Sequence, residues 1–180
     1  MKVKSFVLLP FPSDEMTFPD IKITGSAGRE GSVFSINYEL TGDLSRIVLP
    51  ADGKTPARVI GLWEATCLEF FLAPRGRADY WEFNLSPAGD WDVFHLDAYR
   101  EGFRQEPSIQ SLPFDFYSGP DALSLFLKCD LGGIIAAETS IDAAISAVIK
   151  TVDGKITCWA LAHPADKPDF HHRGSFVLGL

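Results

Sequence analysis

Cys67-Leu68-Glu69-Phe70-Phe71-Leu72, Tyr80-Trp81-Glu82-Phe83-Asn84-Leu85-Ser86 and Trp91-Asp92-Val93-Phe94-His95-Leu96-Asp97 decide the fold. Each run is built of aromatic and aliphatic side chains interrupted by single polar ones, and Pro, Gly and Asp punctuate the gaps. That texture predicts short β-strands. Successive side chains on a strand point to opposite faces, so alternate positions share a side. The alternation assigns Leu68, Phe70 and Leu72, then Trp81, Phe83 and Leu85, then Phe94 and Leu96 to the core. Glu69, then Tyr80, Glu82, Asn84 and Ser86, then Trp91, Val93, His95 and Asp97 face away.

The same texture extends in both directions. Strands are expected over Val3–Leu9, Asp20–Gly25, Ser32–Leu40, Ser45–Leu49, Ala57–Trp63, Ala122–Cys129, Ala143–Thr151, Lys155–His163 and Ser175–Leu180. So many strands without a long amphipathic helix predict an all-β fold. We expect a two-sheet antiparallel β-sandwich of immunoglobulin-like or jelly-roll type, one domain over residues 1–180. Asp153-Gly154 predicts a two-residue type I′ turn that sets Ile149 opposite Cys158. Tyr99–Ala122, with Pro107, Pro113, Pro120, Gly102 and Gly119, predicts a long irregular loop. Such a loop is either functional or a strap pinned by Phe103, Phe114 and Phe116. A short helical turn is expected near Leu131–Glu138.

The 180 residues carry a net charge of −8, and 46% are hydrophobic against 22% charged, which supplies a packed core and excludes wholesale disorder. The acidic balance and the lack of a Lys/Arg-rich run argue against nucleic acid and against anionic membranes as partners. No stretch nears the roughly 20 apolar residues of a membrane span. Phe6-Val7-Leu8-Leu9 before Pro10 is shorter than the roughly 7–15 residues of a signal peptide's apolar region. The expectation is a soluble, cytoplasmic protein. Cys67, Cys129 and Cys158 are widely spaced in apolar runs, as reduced core thiols rather than zinc ligands.

If the three opening strands are neighbours, as short connections favour, their outward faces adjoin. They gather two Glu, an Asn, a Ser, a His, an Asp, a Tyr and a Trp. A sugar needs such a set: hydroxyls bond Asn, Glu and His, and the apolar ring face stacks on Trp or Tyr. The alternative is an ordinary solvated face, which antiparallel sheets often have. Lys, Arg and Thr, common on solvated strands, are missing from these positions. Trp63, near a strand end, reads as a rim aromatic, and Trp159 reads as core. His163-Pro164-Ala165-Asp166-Lys167-Pro168-Asp169-Phe170-His171-His172 invites zinc, but its spacing matches no structural zinc pattern. A loop whose His and Asp bond backbone groups is expected instead. The candidate ligand-binding residues are therefore Trp63, Glu69, Tyr80, Glu82, Asn84, Trp91, His95 and His171, with no metal and no cofactor. Glu69 and Glu82 could be cast as a glycosidase acid pair, but a sequence does not fix the carboxyl separation which that chemistry requires. No Gly-x-Ser-x-Gly, phosphate-cradling loop or His-Glu-x-x-His occurs. A binding module is expected, not an enzyme.

Leu62-Trp63-Glu64-Ala65-Thr66-Cys67-Leu68-Glu69-Phe70-Phe71-Leu72, followed by Tyr80-Trp81-Glu82-Phe83-Asn84-Leu85-Ser86-Pro87-Ala88-Gly89-Asp90-Trp91, resembles the DOMON-like superfamily, which includes carbohydrate-binding module family 9. The Glu69 strand followed by Asn84-x-x-Pro87-x-Gly89 carries the likeness. The tail Trp159–Pro164, Lys167–His172 and Ser175–Leu178 looks like the closing strands of a bacterial DOMON-like subgroup. The likeness covers most of residues 57–180. It implies a β-sandwich whose relatives bind sugars or haem in a pocket at one sheet. Family 9 modules clamp a sugar between tryptophans, which makes Trp63 and Trp91 the first positions to try. Haem-binding relatives use Met and His ligands, whereas Met1 and Met16 lie far from the matching segments, so only a two-His haem stays open. The expectation is a non-catalytic small-molecule binding module for a carbohydrate. The alternatives are a protein-interaction or regulatory module, which could dock a partner or form a homo-oligomer, and a haem-binding redox module.

Overall fold

A computed structural model of the protein describes residues 2–13, 20–50 and 55–180. Met1 and Met16 lie outside these residues. The strands are β1 (Lys2–Pro10), β2 (Lys22–Glu30), β3 (Val33–Thr41), β4 (Cys67–Pro74), β5 (Tyr80–Leu85), β6 (Trp91–Leu96), β7 (Arg104–Gln105), β8 (Phe114–Ser118), β9 (Ala122–Asp130), β10 (Ile141–Lys150), β11 (Ile156–Ala160) and β12 (Leu178–Gly179). Helical structure among the described residues is limited to three 3-10 turns, Leu44–Arg46, Leu62–Glu64 and Arg173–Ser175. The all-β antiparallel fold is thus as expected.

Hydrogen bonding runs through one curled sheet in the order β7-β6-β5-β4-β10-β11-β1-β2-β3-β9-β8, with β12 added to β10. β1 makes the corner. Its residues Lys2–Leu8 pair with β2, while Leu9 and Pro10 pair with Ala160 and Trp159 of β11. The curl brings the two halves face to face around a shared core. Phe34 of β3 stacks on Phe70 of β4 at 5.0 Å, and Phe70 stacks on Phe83 of β5 at 4.4 Å. Tyr38 of β3 donates its hydroxyl to the Glu69 backbone carbonyl at 2.7 Å, so a polar tip is satisfied inside the core. Burying each such aromatic contributes roughly 1.5–3 kcal/mol.

The alternation on β4 and β5 holds, because Leu68, Phe70, Leu72, Trp81, Phe83 and Leu85 all lie in this core. The alternation on β6 is inverted. Leu85 pairs with Trp91 and Phe83 with Val93, so Trp91 and Val93 enter the core and Phe94 and Leu96 take the other side. The five-residue turn Ser86–Asp90 sets this register. Ser86 N–H donates to the Asp90 carbonyl at 2.8 Å, and Gly89 supplies the φ of 90° that the reversal needs.

The β10–β11 hairpin is corrected by one residue. Thr151 N–H bonds the Lys155 carbonyl, Gly154 sits at φ 84°, and three residues rather than two close the loop. Ile149 therefore faces Thr157, and Val148 faces Cys158. Trp159 turns into the core, as its reading predicted, and Cys158 turns to the opposite face.

Other boundaries also shift. Ser45–Leu49 and Ala57–Trp63 form no strand beyond isolated bridges at Ile47 and Arg58. Tyr99–Ala122 contains β7 and β8 rather than one loop. Near Leu131, Ile134 N–H and Ile135 N–H turn back to its carbonyl without forming a helix.

The second face of the β4–β5–β10 region is not the solvated sheet face that antiparallel strands often show. Every residue of β4 and of β5 is buried. The chain after Pro164 and the 3-10 turn Leu62–Glu64 supply the cover. Phe176 joins Phe71, Tyr80, Phe94, Leu96 and Ala144 in a second apolar cluster, with Trp63 and Phe170 packed on it. The candidate site lies in this covered layer.

Candidate functional site

Glu69 is placed by β4 and Glu82 by β5, on the same side of the sheet. Glu69 stands opposite Asn84 of β5 and Ser146 of β10, and Glu82 stands opposite Phe71 of β4 and Phe94 of β6. The two acids are therefore diagonal neighbours, a spacing that side chains bridge. Only 3% of Glu69 and 4% of Glu82 is exposed. Asn84 donates to Glu82 Oε1 at 2.9 Å. Glu69 Oε1, Glu82 Oε2 and Ser146 Oγ are buried without a hydrogen-bond partner in the protein. Leaving such atoms unmatched costs about 1–3 kcal/mol each, more when charged. A folded protein keeps three together only where something else compensates.

Above these atoms opens a cleft of about 450 Å³, lined by Trp63, Glu69, Glu82, Leu96, Arg100, Phe103, Val148, Ile156, Cys158, Pro168, Phe170 and His171. The volume falls within the range of small-molecule sites. Trp63 stands edge-on to Phe94 at 5.8 Å and to Phe103 at 6.3 Å, and Phe103 stacks on Phe94 at 4.2 Å. These rings form one wall.

The C-terminal segment forms the opposite wall and is tied down by Asp169. Its carboxylate accepts from Tyr99 Oη at 2.5 Å, from Arg100 at 2.9 Å and from His171 N–H at 3.2 Å. The Arg100 backbone is held at φ 57°, an uncommon value for a residue with a Cβ. Arg100 N–H donates to the Tyr80 hydroxyl at 3.3 Å, and that hydroxyl is hydrogen-bonded to His171 Nδ1 at 2.9 Å. With Tyr80 as donor to Nδ1, the neutral ring carries its proton on Nε2, which lies 3.8 Å from Glu82 Oε2.

Burial dominates the electrostatics. It pushes the Glu69 carboxyl well above the usual range, and the Glu82 charge adds to the push. Burial pushes Glu82 up to about 7 against the opposing pull of the Asn84 hydrogen bond and the Arg100 charge. Burial also pushes His171 down to about 4, helped by Arg100 and opposed by Asp169. Near neutral pH the imidazole is therefore uncharged, Glu69 holds a proton it would lose in water, and Glu82 is partly protonated.

Of the residues expected from the sequence, Trp63, Glu69, Glu82 and His171 line the cleft. Tyr80 and Asn84 stand immediately behind and orient His171 and Glu82. Trp91 and His95 do not belong to this face, because the β6 register turns them to the other side. Trp91 is buried beneath the Arg58 guanidinium at 5.2 Å. His95 packs against Trp81 at 4.6 Å and bonds Arg104 at the sheet edge. The histidine-rich loop disperses its rings: His163 bonds the Leu9 carbonyl, and His172 accepts from Gly174 N–H. No cluster of three or more potential metal ligands occurs among the described residues.

Sequence reasoning missed Arg100, Phe103, Phe170 and Cys158 as lining residues. Phe103 lay in a segment already singled out as long and aromatic. Cys158 was lost to the one-residue hairpin shift. Arg100 carried no signal, since its place depends on the left-handed turn.

Neither a family model nor a curated protein sequence matches the chain. Among solved structures, a candidate carbohydrate-binding protein from Bacteroides uniformis superposes over 98% of this chain and 84% of its own, with a TM-score of 0.69 and 14% identity. A carbohydrate-binding module of family 9 from Caldicellulosiruptor kristjanssonii, solved with glucose, matches 81% of this chain and 69% of its own, with a TM-score of 0.48 and 11% identity. At 14% identity the first likeness is one of fold.

Proposed function

We propose that the cleft binds a carbohydrate and that the chain acts as a non-catalytic binding module of DOMON-like type. One observation carries this reading: the cleft floor holds buried, unpartnered acceptor atoms beside aromatic walls. Sugar hydroxyls both donate and accept, so they suit Glu69 Oε1 and Glu82 Oε2 in either protonation state, and the apolar side of a sugar ring suits the exposed flanks of Trp63 and Phe103. The name of the Bacteroides uniformis fold relative agrees with this assignment. The three free cysteines fit a reducing compartment, in line with a cytoplasmic protein.

The test is a titration of intrinsic tryptophan fluorescence with a panel of mono- and disaccharides, repeated by calorimetry. Saturable binding is expected, weakened at least roughly ten-fold by Trp63→Ala, which removes one wall. A folded protein that responds to no sugar at millimolar concentration would end the carbohydrate reading.

A further inference from the structure

Once its acids ionise, the cleft floor has acceptors in excess of donors and negative groups in excess of positive ones. An ionised carboxylate only accepts, and Asn84 is the one side-chain donor given to Glu82 by a neighbouring residue on the sheet. The cations nearby are committed elsewhere. Arg58 is bound to the fully buried Asp92 at 2.6 Å, and Arg100 to Asp169 at 2.9 Å. Lys150 reaches the Glu64 carbonyl. Among the described residues, no Lys or Arg nitrogen comes within ion-pair distance of Glu69 or Glu82. The only basic ring there, His171, offers a neutral N–H at 3.8 Å.

We propose that the cleft selects a ligand bearing a protonated amine, an amine-bearing sugar, whose ammonium sits between Glu69 and Glu82 and against the Trp63 wall. This deepens the carbohydrate reading and rests on it. An ammonium supplies three donors and one positive charge, and two of those donors suit the two orphaned carboxyl oxygens. Aromatic faces beside carboxylates favour cations further. Ser146 Oγ, next to Glu69 on β10, is free to accept from the ligand's hydroxyls.

Proton balance follows. Without a cation, burial favours the protonated form of both acids, and the Glu82 charge adds to the push on Glu69. The other ionisable groups around the pair are Cys67, Tyr38 and Tyr80, all raised by burial, His171, already neutral, Arg100, whose charge pulls Glu82 down, and Asp92, whose charge pushes it up. An incoming ammonium takes the place of an acid proton, which leaves to solvent. Binding of the charged ligand therefore releases protons, and binding of a neutral sugar does not.

Calorimetry at about pH 6.5, where such amines are charged, tests this with glucosamine, galactosamine and mannosamine. Each is paired with its neutral parent sugar and its N-acetyl derivative, in two buffers of different ionisation enthalpy. The expected result is at least about ten-fold tighter binding of one amine than of its two neutral partners, with heat that depends on the buffer. Glu82→Gln should erase both the preference and the proton release, and the wild-type buffer dependence needs no variant at all. Equal or tighter binding of the neutral sugars overturns the inference and leaves the carbohydrate reading standing. Silence from all of them with folded protein overturns both.

Discussion

Replacing Glu82 by Gln should change how stability depends on pH in a direction that the cleft dictates. The Glu82 carboxyl has an ordinary value of 4.5 in the open chain and about 7 in the folded protein, raised chiefly by burial. An acid whose folded value is raised contributes stability that is fully present below the unfolded value. That contribution is lost as pH rises through the folded one. Between about pH 5.5 and about pH 8.5, linkage at 1.36 kcal/mol per unit gives a loss of about 2 kcal/mol from this group. Glu82→Gln cannot titrate, so its stability relative to wild type should rise by that amount across the same interval. Any fixed offset from the buried amide cancels, because only the change between the two pH values is read. Urea unfolding followed by tryptophan fluorescence supplies both free energies. A stability gap that stays constant from the lower to the higher pH would refute the claim that burial keeps this carboxyl protonated.

Three further outcomes follow from the same geometry. The His171 ring should titrate only near pH 4 and show the Nε2–H tautomer by nitrogen NMR; its neutral form stabilises the fold above the open-chain value of 6.5, and this is lost as pH falls through 4. Asp169→Ala should release Tyr99, Arg100 and His171 together, costing about 1–3 kcal/mol and speeding amide exchange in residues 168–176, and unchanged exchange there would contradict its role as the tie. Phe70→Ala, between the stacked rings of Phe34 and Phe83, should cost about 3–5 kcal/mol in denaturant unfolding without altering ligand preference, because its side chain lies on the far face from Glu69.

The legible part of the fold was the part with one clear periodicity. Along β4 and β5 one parity is wholly large and apolar (Leu68, Phe70, Leu72, Trp81, Phe83 and Leu85), and that gave the correct face for Glu69, Glu82 and Asn84. β6 defeated the same reasoning because Trp91, Val93, Phe94 and Leu96 are apolar on both parities, as a strand covered on both sides requires. Its register is decided by the Ser86–Asp90 turn, whose length in hydrogen bonds is not written in the hydrophobic pattern. The Asp153-Gly154 pair predicts a two-residue turn, and Thr151 closes a longer one. Its hydroxyl accepts from Lys155 N–H and also engages Asp153, which widens the loop by one residue. The roof over Glu82 was invisible for another reason. His171 reaches the sheet through Tyr80, 91 residues away in sequence, and only the Asp169 tie to Tyr99 and Arg100 brings that segment down.

The shared strand β1 also sets an order of events. Its Leu9 and Pro10 need Ala160 and Trp159, and Phe11 N–H needs the Cys158 carbonyl at 2.7 Å. During synthesis the β1–β2–β3 meander can zip locally, but the corner stays open until residue 163, whose imidazole holds the Leu9 carbonyl, has left the ribosome. Closing a contact across some 150 residues is entropically slow, and until then the edge of β1 is an unpaired template for other chains. Nascent molecules of this protein should therefore pass through a late, aggregation-exposed stage in which chaperone capture competes with ring closure.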